Sequence, residues 1–289
     1  MKENIILKIE KTGYYYPFKA LDDHDVQAFK KEYYELIKKI KSPSMEFEYK
    51  FKSHLLFKWV NNLIRNENIL EIAREYLGKN ILCWNSIFFH KKKKSKNFVG
   101  WHEDKTYWNL ANDKILSFSL AITNSNVENG CLKILKNRRK VNYEDKDIKN
   151  NMLARGQNAI IDKNEEFEYI KLNPGECSIF KQDIIHGSDP NLSNEDRILL
   201  VIRYISPDNN TFGNHRSATL VSGKDDFNFY EKEPIPRYDF DEECVKFHQE
   251  LMKKQATIFA KHKLKKIKLP FLSNIASHKL ARGIYYKYF

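Results

Sequence analysis

The sequence predicts an α+β protein with a mostly β core, folded as a β-barrel or jelly roll and flanked by helices. Short segments with strand character follow one another through the middle of the chain, and turn residues separate them. Segments before and after this region have the apolar spacing of amphipathic helices. The length of 289 residues suits one large barrel domain, and a hydrophobic content of 42% is enough to fill its core.

The N-terminal part is predicted to be helical after a short strand-like start. Asp22, Asp23 and Asp25 precede residues 26–40, where apolar residues recur at helical spacing, so the acidic residues mark a helix N-terminus. A second helical region spans residues 55–77 and ends at Gly78, a residue type common at helix C-termini. These helices are expected to brace a sheet.

The central part is predicted to form strands at residues 81–89, 115–123, 130–135, 159–161, 177–180 and 198–204. Turn signals such as Glu128-Asn129-Gly130 lie between them. Many short, closely spaced strands are typical of a barrel or jelly roll. After residue 204 the chain is expected to be irregular until a helix begins near residue 241.

The net charge of +12 has two interpretations. It favours acidic partners, but lysines spread through the whole chain also arise from compositional drift. The basic segment Lys261–Lys268 is likewise compatible with an anionic membrane surface or with an ordinary solvated helix face.

Cysteine usage and the N-terminus predict a soluble, cytoplasmic protein. The four cysteines are far apart and form no CxxC pair, which argues against a zinc ribbon or a disulfide framework. The N-terminus lacks the apolar core of a signal peptide, and no apolar run has the length of a membrane span.

One short motif suggests a metal site. In an extended segment, side chains two residues apart point to the same side, so His102 and Asp104 can bind one ion while Glu103 faces away. His186, just after the predicted strand 177–180, is a candidate third ligand, although a polar residue at a strand end explains it equally well. Two imidazoles and one carboxylate suit a redox-active non-haem iron that keeps positions open for oxygen and a co-substrate.

Two arginines share one face of the last predicted strand. Period-two geometry places Arg197, Leu199, Val201 and Arg203 on the same side. Buried guanidinium groups need carboxylate partners, and a bound 2-oxo diacid would provide one for a planar arginine fork. A salt bridge within the fold is the alternative, at least as plausible for Arg203 as for Arg197.

Several segments together resemble the phytanoyl-CoA dioxygenase family of iron(II)- and 2-oxoglutarate-dependent oxygenases, over about residues 13–248. They are Phe89-His90-Lys91, the block from Trp101 to Trp108, Glu128-Asn129-Gly130-Cys131-Leu132, Pro174-Gly175-Glu176, His186-Gly187-Ser188 with Pro190-Asn191, the segment from Arg197 to Tyr204, and that from Arg216 to Val221. The resemblance implies a double-stranded β-helix (jelly-roll, cupin-like) barrel braced by N-terminal and C-terminal helices. It predicts a single oxygenase domain over residues 1–289, with a family-like core at 12–250 and a basic C-terminal extension at 251–289.

The resemblance also implies roles for individual residues. His102, Asp104 and His186 would ligate Fe(2+), and Arg197 and Ser188 would hold the distal carboxylate of the co-substrate 2-oxoglutarate. Lys91 matches a family lysine near that co-substrate, although it also opens a run of four lysines that are plausibly solvated.

Some positions depart from the family pattern and some distinguish its reactions. Glu103 replaces the usual glutamine, which puts the co-substrate contact there in question, and Ser119 replaces a tryptophan of many relatives. Asp104 is retained, whereas iron halogenases of this superfamily lack that carboxylate, so the pattern favours O2-dependent hydroxylation.

Three functional hypotheses follow. The first is a hydroxylase of a small anionic or zwitterionic metabolite, with Tyr107, Trp108 and Tyr204 as candidate pocket residues, although aromatic residues near strands more often belong to the core. The second is an AlkB-type nucleic-acid demethylase, suggested by the Arg197-x5-Arg203 spacing and the net charge but disfavoured by the block from Trp101 to Trp108. The third is a non-catalytic binding relative, for which a missing ligand would be expected, yet all three are present.

Overall fold

A computed structural model describes residues 2–136, 140–145, 150–153, 157–211 and 216–266. Its helices are α1 (Lys2–Thr12), α2 (Asp23–Lys39), α3 (Pro43–Lys50), α4 (Lys58–Leu63), α5 (Glu67–Leu77), α6 (Lys105–Trp108) and α7 (Glu242–Lys266), with a 3-10 helix at Ser53–Leu55. Its strands are β1 (Tyr14–Lys19), β2 (Ile81–Lys91), β3 (Val99–His102), β4 (Ile115–Ala121), β5 (Leu132–Leu135), β6 (Tyr143–Asp145), β7 (Gln157–Ala159), β8 (Phe167–Ile170), β9 (Glu176–Phe180), β10 (His186–Ser188), β11 (Arg197–Ile205), β12 (Ser217–Ser222) and β13 (Glu231–Lys232).

Two sheets form the barrel. The larger has the strand order β1-β9-β4-β11-β2-β12-β13, and the smaller has the order β3-β10-β5-β8. Ala121 and Leu199 of the larger sheet share a hydrophobic cluster with Ile134 and Ile170 of the smaller one. The sheets therefore face each other, which confirms the predicted jelly-roll fold.

The central strand β11 has two different faces. Ile198, Leu200 and Ile202 belong to the main hydrophobic core, together with residues of α1, α2, α4 and α5. Leu199, on the alternate face, belongs to the cluster between the two sheets. The helices thus brace the outside of the larger sheet, as predicted, and the odd-numbered residues of β11 face the barrel interior.

The predicted helix N-terminus at residues 22–25 is confirmed. The Asp22 carboxylate accepts a hydrogen bond from the Asp25 backbone N–H and caps α2. The helical region predicted at 55–77 is divided, however, because Asn66 accepts from the Ile69 N–H and starts α5 as a separate helix. Gly78, at φ +91°, closes α5 as expected.

Two local predictions were wrong, and one helix was missed. The short strand before residue 22 is present as β1, but helix α1 precedes it and was not predicted; Ile5 and Ile9, one helical turn apart, bury one face of α1. The segment after residue 204 is not wholly irregular, because β12 adds a strand beside β2. The strand expected at 159–161 lies at Gln157–Ala159 instead, and the exposed Ile160 follows it.

Helix α7 begins at Glu242, close to the predicted residue, and continues to Lys266. It crosses the predicted boundary between residues 250 and 251, and the division into core and extension stays a prediction. The side chains of Lys261–Lys268 lie outside the described residues, so the two interpretations of this basic segment stay open. Within the described part of the chain, no helix combines the length and apolarity needed to cross a bilayer.

Candidate metal and co-substrate site

Strand pairing brings two histidines together inside the barrel. His102 ends β3, His186 begins β10, and the two residues are direct partners in the antiparallel pair. Their ring centroids lie 4.1 Å apart, and both side chains are buried. Ligand atoms of His102, His186 and Asp104 all lie within 4.8 Å of one another, so the structure brings the three predicted ligands together.

Hydrogen bonds orient both imidazoles in the same way. Nδ1 of His102 contacts the Gly100 carbonyl at 3.0 Å, and Nδ1 of His186 contacts the Ile184 carbonyl at 2.8 Å. A carbonyl oxygen only accepts, so each Nδ1 carries the proton and each Nε2 carries a lone pair. Burial, followed by the neighbouring His186, lowers the pKa of His102 to about 3, which keeps the ring neutral as metal binding requires.

Asp104 supplies the negative charge. Its Oδ1 lies 3.8 Å from Nε2 of His102, and its Oδ2 accepts a hydrogen bond from Nη2 of Arg203 at 3.2 Å. Burial alone would raise the pKa of this carboxyl, but Arg203 and the two imidazoles lower it overall. A buried carboxylate with two neutral imidazoles is a donor set that fits Fe(2+).

A second group of polar side chains lies at the start of β11. Arg197 and Lys91 are direct partners across β11 and β2, and both are almost completely buried. Nζ of Lys91 donates to Oγ of Ser188 at 2.6 Å, and Nη1 of Arg197 donates to the Gly130 carbonyl at 2.9 Å. Lys91 is therefore buried. The alternative interpretation, in which Lys91 is a solvated member of the four-lysine run, does not hold.

In the part of the chain that the structure describes, neither Arg197 nor Lys91 forms a salt bridge with a carboxylate. Within the described residues, Arg197 forms no ion pair, and its Nε has no hydrogen-bond partner. Burial lowers the pKa of Arg197 to about 10, and burial together with Arg197 lowers the pKa of Lys91 to about 6. A carboxylate of an incoming diacid could accept hydrogen bonds from both side chains and add the missing negative charge. Arg197 and Lys91 thus form a cationic cradle that fits the distal end of 2-oxoglutarate.

The structure decides several further predictions. For Arg203, a salt bridge within the fold was the alternative to contact with the co-substrate, and the structure shows such a salt bridge, to Asp104. The Arg203 guanidinium also lies 4.8 Å above the Trp108 ring. Of the two interpretations of Tyr204, a pocket position or a core position, the structure supports the core: Tyr204 packs on the helix side of the sheet, and its hydroxyl donates to the Ile64 carbonyl at 2.8 Å. The side chain of Tyr107 lies outside the described residues.

The two positions that depart from the family pattern have different surroundings. Glu103 is turned toward solvent and accepts a hydrogen bond from Oγ1 of Thr106 at 2.8 Å. Ser119 is buried and pairs with Val201 and Ser178, on the inner face of the larger sheet. Ser119 therefore borders the barrel interior and Glu103 does not.

Sequence reasoning missed Gly130 as a site residue, although it noted the turn. The Gly130 carbonyl accepts from Arg197, and the residue adopts φ +72°. Asn85 and Ser117 were also missed, and both face the interior from strands that are mostly apolar. A polar residue at an inward position of such a strand was the available signal.

Two sequence comparisons find similar proteins. The model of a family described as phytanoyl-CoA dioxygenase (PhyH) matches residues 9–199. The chain is 26% identical over 221 residues to a Stutzerimonas stutzeri protein called "probable alpha-ketoglutarate-dependent hypophosphite dioxygenase", covering 71% of this chain and 72% of that protein.

Solved structures support the fold. ThoJ in its apo form, described as a non-heme monooxygenase, has a TM-score of 0.74 at 21% identity and covers 87% of this chain and 96% of its own. The epimerase SnoN, in complex with Fe3+, alpha ketoglutarate and nogalamycin RO, has a TM-score of 0.60 at 14% identity, covering 73% of this chain and 85% of its own. At such identities the likeness establishes the architecture alone.

Proposed function

The chain belongs to the phytanoyl-CoA dioxygenase family of iron- and 2-oxoglutarate-dependent enzymes, and we propose that it hydroxylates an unactivated carbon of a small-molecule metabolite. Succinate and CO2 would be the co-products. The observation that carries this proposal is the complete donor set of His102, Asp104 and His186 beside the cationic cradle of Arg197 and Lys91. Retention of the Asp104 carboxylate favours hydroxylation over halogenation.

The chain's own residues would bind and orient the reactants. His102, Asp104 and His186 would hold the iron, while Arg197, Lys91 and Ser188 would hold the distal carboxylate of 2-oxoglutarate. When bound, the iron with O2 supplies an oxidation that decarboxylates 2-oxoglutarate and places one oxygen atom in the substrate. The three ligand side chains are themselves buried, which limits the water at a reactive centre and protects it from side reactions.

An anionic or zwitterionic substrate is supported by cations near the metal ligands. Arg203 contacts Asp104 and stacks over Trp108, whose backbone carbonyl accepts from Nη1 of Arg216 at 2.9 Å. Arg216 also lies 5.4 Å above the Trp84 ring. The relative named for hypophosphite takes a small oxyanion, in keeping with this charge pattern.

A metabolite screen tests the proposal. Iron-loaded protein is incubated with 2-oxoglutarate, O2 and candidate anionic or zwitterionic metabolites, and succinate release is compared with a mass gain of one oxygen. Asp104→Ala should reduce product formation more than about a hundredfold, since even residues that only support a metal ligand contribute about 10–100-fold.

The matched control is Asp226→Ala, which removes an exposed carboxylate paired with Lys224 and should retain turnover. Full turnover by a folded Asp104→Ala protein would refute Asp104 as a ligand. Succinate coupled to a product without added oxygen, such as an epimer, would refute hydroxylation while leaving the co-substrate chemistry intact.

A further inference from the structure

Three polar side chains form a row across the larger sheet. In the register of β2, β11 and β4, Arg203 is the direct partner of Asn85 on one side and of Ser117 on the other. Directly paired residues of adjacent strands point to the same face of a sheet. The row therefore lies on the inner face that also carries Arg197.

The inner face borders space that solvent reaches. Along β2, Asn85, Ile87 and Phe89 are partly exposed, whereas the alternating Ser86, Phe88 and His90 on the other face are buried. Partial exposure at inward positions shows that the barrel interior is not filled by side chains along this strand. A small molecule entering it meets the row of Asn85, Arg203 and Ser117.

Each member of the row has a buried polar atom without a hydrogen-bond partner in the described part of the chain. These atoms are Oδ1 of Asn85, Nε of Arg203 and Oγ of Ser117. Buried polar groups in native proteins are nearly always paired, and unpaired groups that converge on one place indicate a partner from outside the chain. Nε of Arg203 only donates and Oδ1 of Asn85 only accepts, so that partner must offer both an acceptor and a donor.

Arg203 connects this row to the metal ligands. Its Nη2 donates to Oδ2 of Asp104, and its guanidinium plane rests on Trp108, so its orientation is set from two sides. The remaining Nε–H edge is free to serve a second acceptor. A substrate group bound to Nε and the metal ligand Asp104 would then contact the same guanidinium. This shared contact would set the distance between the substrate group and the metal.

The charges favour an anion at this point. The two positive charges of a ferrous ion are balanced by the carboxylate of Asp104 and by one carboxylate of 2-oxoglutarate. The guanidinium of Arg203 then keeps an uncompensated positive charge in a site of low solvent content, where such a charge acts strongly. Neutral groups would satisfy the hydrogen bonds but not this charge.

We propose that Asn85, Arg203 and Ser117 form the subsite that anchors a singly charged oxyanion group of the substrate, with Arg203 positioning Asp104 at the same time. This inference rests on the proposed function. The oxyanion is a singly protonated phosphorus oxyacid, whose oxygens accept from Arg203 and Ser117 and whose P–OH donates to Oδ1 of Asn85, or a carboxylate that carries a neighbouring hydroxyl or ammonium donor.

Anaerobic titration of the protein loaded with Fe(2+) and 2-oxoglutarate tests the subsite. The probes are acetate, methylphosphonate and, as a neutral isostere of acetate, acetamide. The visible absorption of the iron–2-oxoglutarate chelate reports on the loaded site, and calorimetry gives the dissociation constant of each probe. At least one anion is expected to bind saturably and about tenfold or more tightly than acetamide.

Variants locate the binding. Asn85→Ala and Ser117→Ala should each raise the dissociation constant of the anion about tenfold, because a charged group loses one hydrogen bond. Arg203→Ala should weaken the anion and also the binding of iron, since Asp104 loses the guanidinium that orients Oδ2. The matched control is Ser222→Ala, whose hydroxyl is already paired with the Lys79 carbonyl, and this variant should leave all constants unchanged.

The outcomes separate the two proposals. If the chelate absorption fails to form in the wild-type protein, the proposed function is refuted and the subsite falls with it. Two other outcomes would refute the subsite alone, provided that the chelate forms. One is that acetamide binds as tightly as the anions; the other is that Asn85→Ala and Ser117→Ala bind the anion as tightly as Ser222→Ala does. A stronger response to acetate or to methylphosphonate identifies which oxyanion the row accepts.

Discussion

Lys91 and Arg197 form an unfavourable pair in the ligand-free protein, because two basic side chains lie side by side in buried positions. Burial of unpaired charge is retained in proteins mainly where a ligand compensates it. The cradle should therefore bind its ligand together with a proton. The lowered pKa of Lys91, about 6, indicates where that proton goes.

We predict that 2-oxoglutarate binds less tightly as the pH rises above 6. The free protein holds Lys91 largely neutral at pH 7.5, and a bound carboxylate favours its charged form, so binding takes up a proton. Above the pKa, the dissociation constant should rise by up to about tenfold per pH unit. Calorimetry with metal-loaded protein, in buffers of different ionisation enthalpy, measures both the constant and the proton uptake.

Lys91→Met should remove most of this pH dependence, whereas the exposed Lys93→Met should retain it. A dissociation constant of the wild-type protein that does not change between pH 6 and pH 8 would contradict the assignment.

Gly130 is predicted to be irreplaceable in the cradle. It adopts φ +72°, and a Cβ there would lie 2.1 Å from the Asp189 carbonyl oxygen. Gly130→Ala must therefore displace the carbonyl that Arg197 contacts, weakening 2-oxoglutarate binding more than about tenfold, in addition to about 1–3 kcal/mol of backbone strain. Calorimetry and urea unfolding measure the two effects separately.

Gly78→Ala is the matched control, because Gly78 also has a positive φ of +91° but no atom within 4 Å of the added Cβ. It should lose stability through strain and bind 2-oxoglutarate normally. Equal binding by both variants would show that the Gly130 turn does not shape the cradle.

Strand β11 connects the helix layer with the site, because its two faces carry different side chains. Its even-numbered side chains hold the helix layer, and its odd-numbered ones carry Arg197 and Arg203 into the barrel. The period-two pattern was visible in the sequence, and so was the face that carries the arginines. The even position of Tyr204 in the strand was likewise enough to favour the core over the pocket.

The end of the barrel near β12 and β13 depends on a buried ionic cluster. Glu233 accepts hydrogen bonds from Lys52, from His54 at 2.9 Å, from Ser217 at 2.7 Å and from Thr219 at 2.6 Å. Burial would raise the pKa of Glu233, but Lys52 and His54 lower it overall. The cluster links the segment before α7 to the 3-10 helix and to β12.

Glu233→Gln is expected to destabilise the protein by about 3–5 kcal/mol, because the charge of Lys52 would stay buried without compensation. Since the folded-state pKa of Glu233 is lowered, its contribution is present above the unfolded-state value of 4.5 and is lost as the pH falls below it. Urea unfolding at pH 7 and pH 4 measures both effects.

In the variant, acid should remove less stability than in the wild type. Glu35→Gln, which changes an exposed glutamate paired with Lys38, should alter stability little at either pH. A wild-type-like unfolding curve for Glu233→Gln would contradict the role of the cluster.

At the scale of the whole molecule, ligand binding should raise the thermal stability of the protein. A ligand that binds only the folded state adds about 2.7 kcal/mol at a hundredfold excess over its dissociation constant. Adding a divalent metal with 2-oxoglutarate should therefore raise the Tm by several degrees, in a concentration-dependent way, as calorimetric scans can measure. Asp104→Ala should lose this joint shift, and a wild-type Tm indifferent to both ligands would argue against the site.

The parts of the fold that were predictable are those with local patterns. The helix cap at Asp22, the strand from Arg197 and the spacing of His102 and Asp104 all depend on neighbours in the sequence. The edge strand β12, the Gly130 contact and the row of Asn85, Arg203 and Ser117 depend on which strands pair, and pairing partners are distant along the chain. Local periodicity carries no information about such partners.

Because His102 and His186 come from paired strands that are far apart in the chain, the metal cannot template its own site from a short segment. The smaller sheet has to close before both imidazoles meet. A metal can therefore be held by all three ligands only in a chain with this strand pairing, so tight metal binding should report that the smaller sheet has formed.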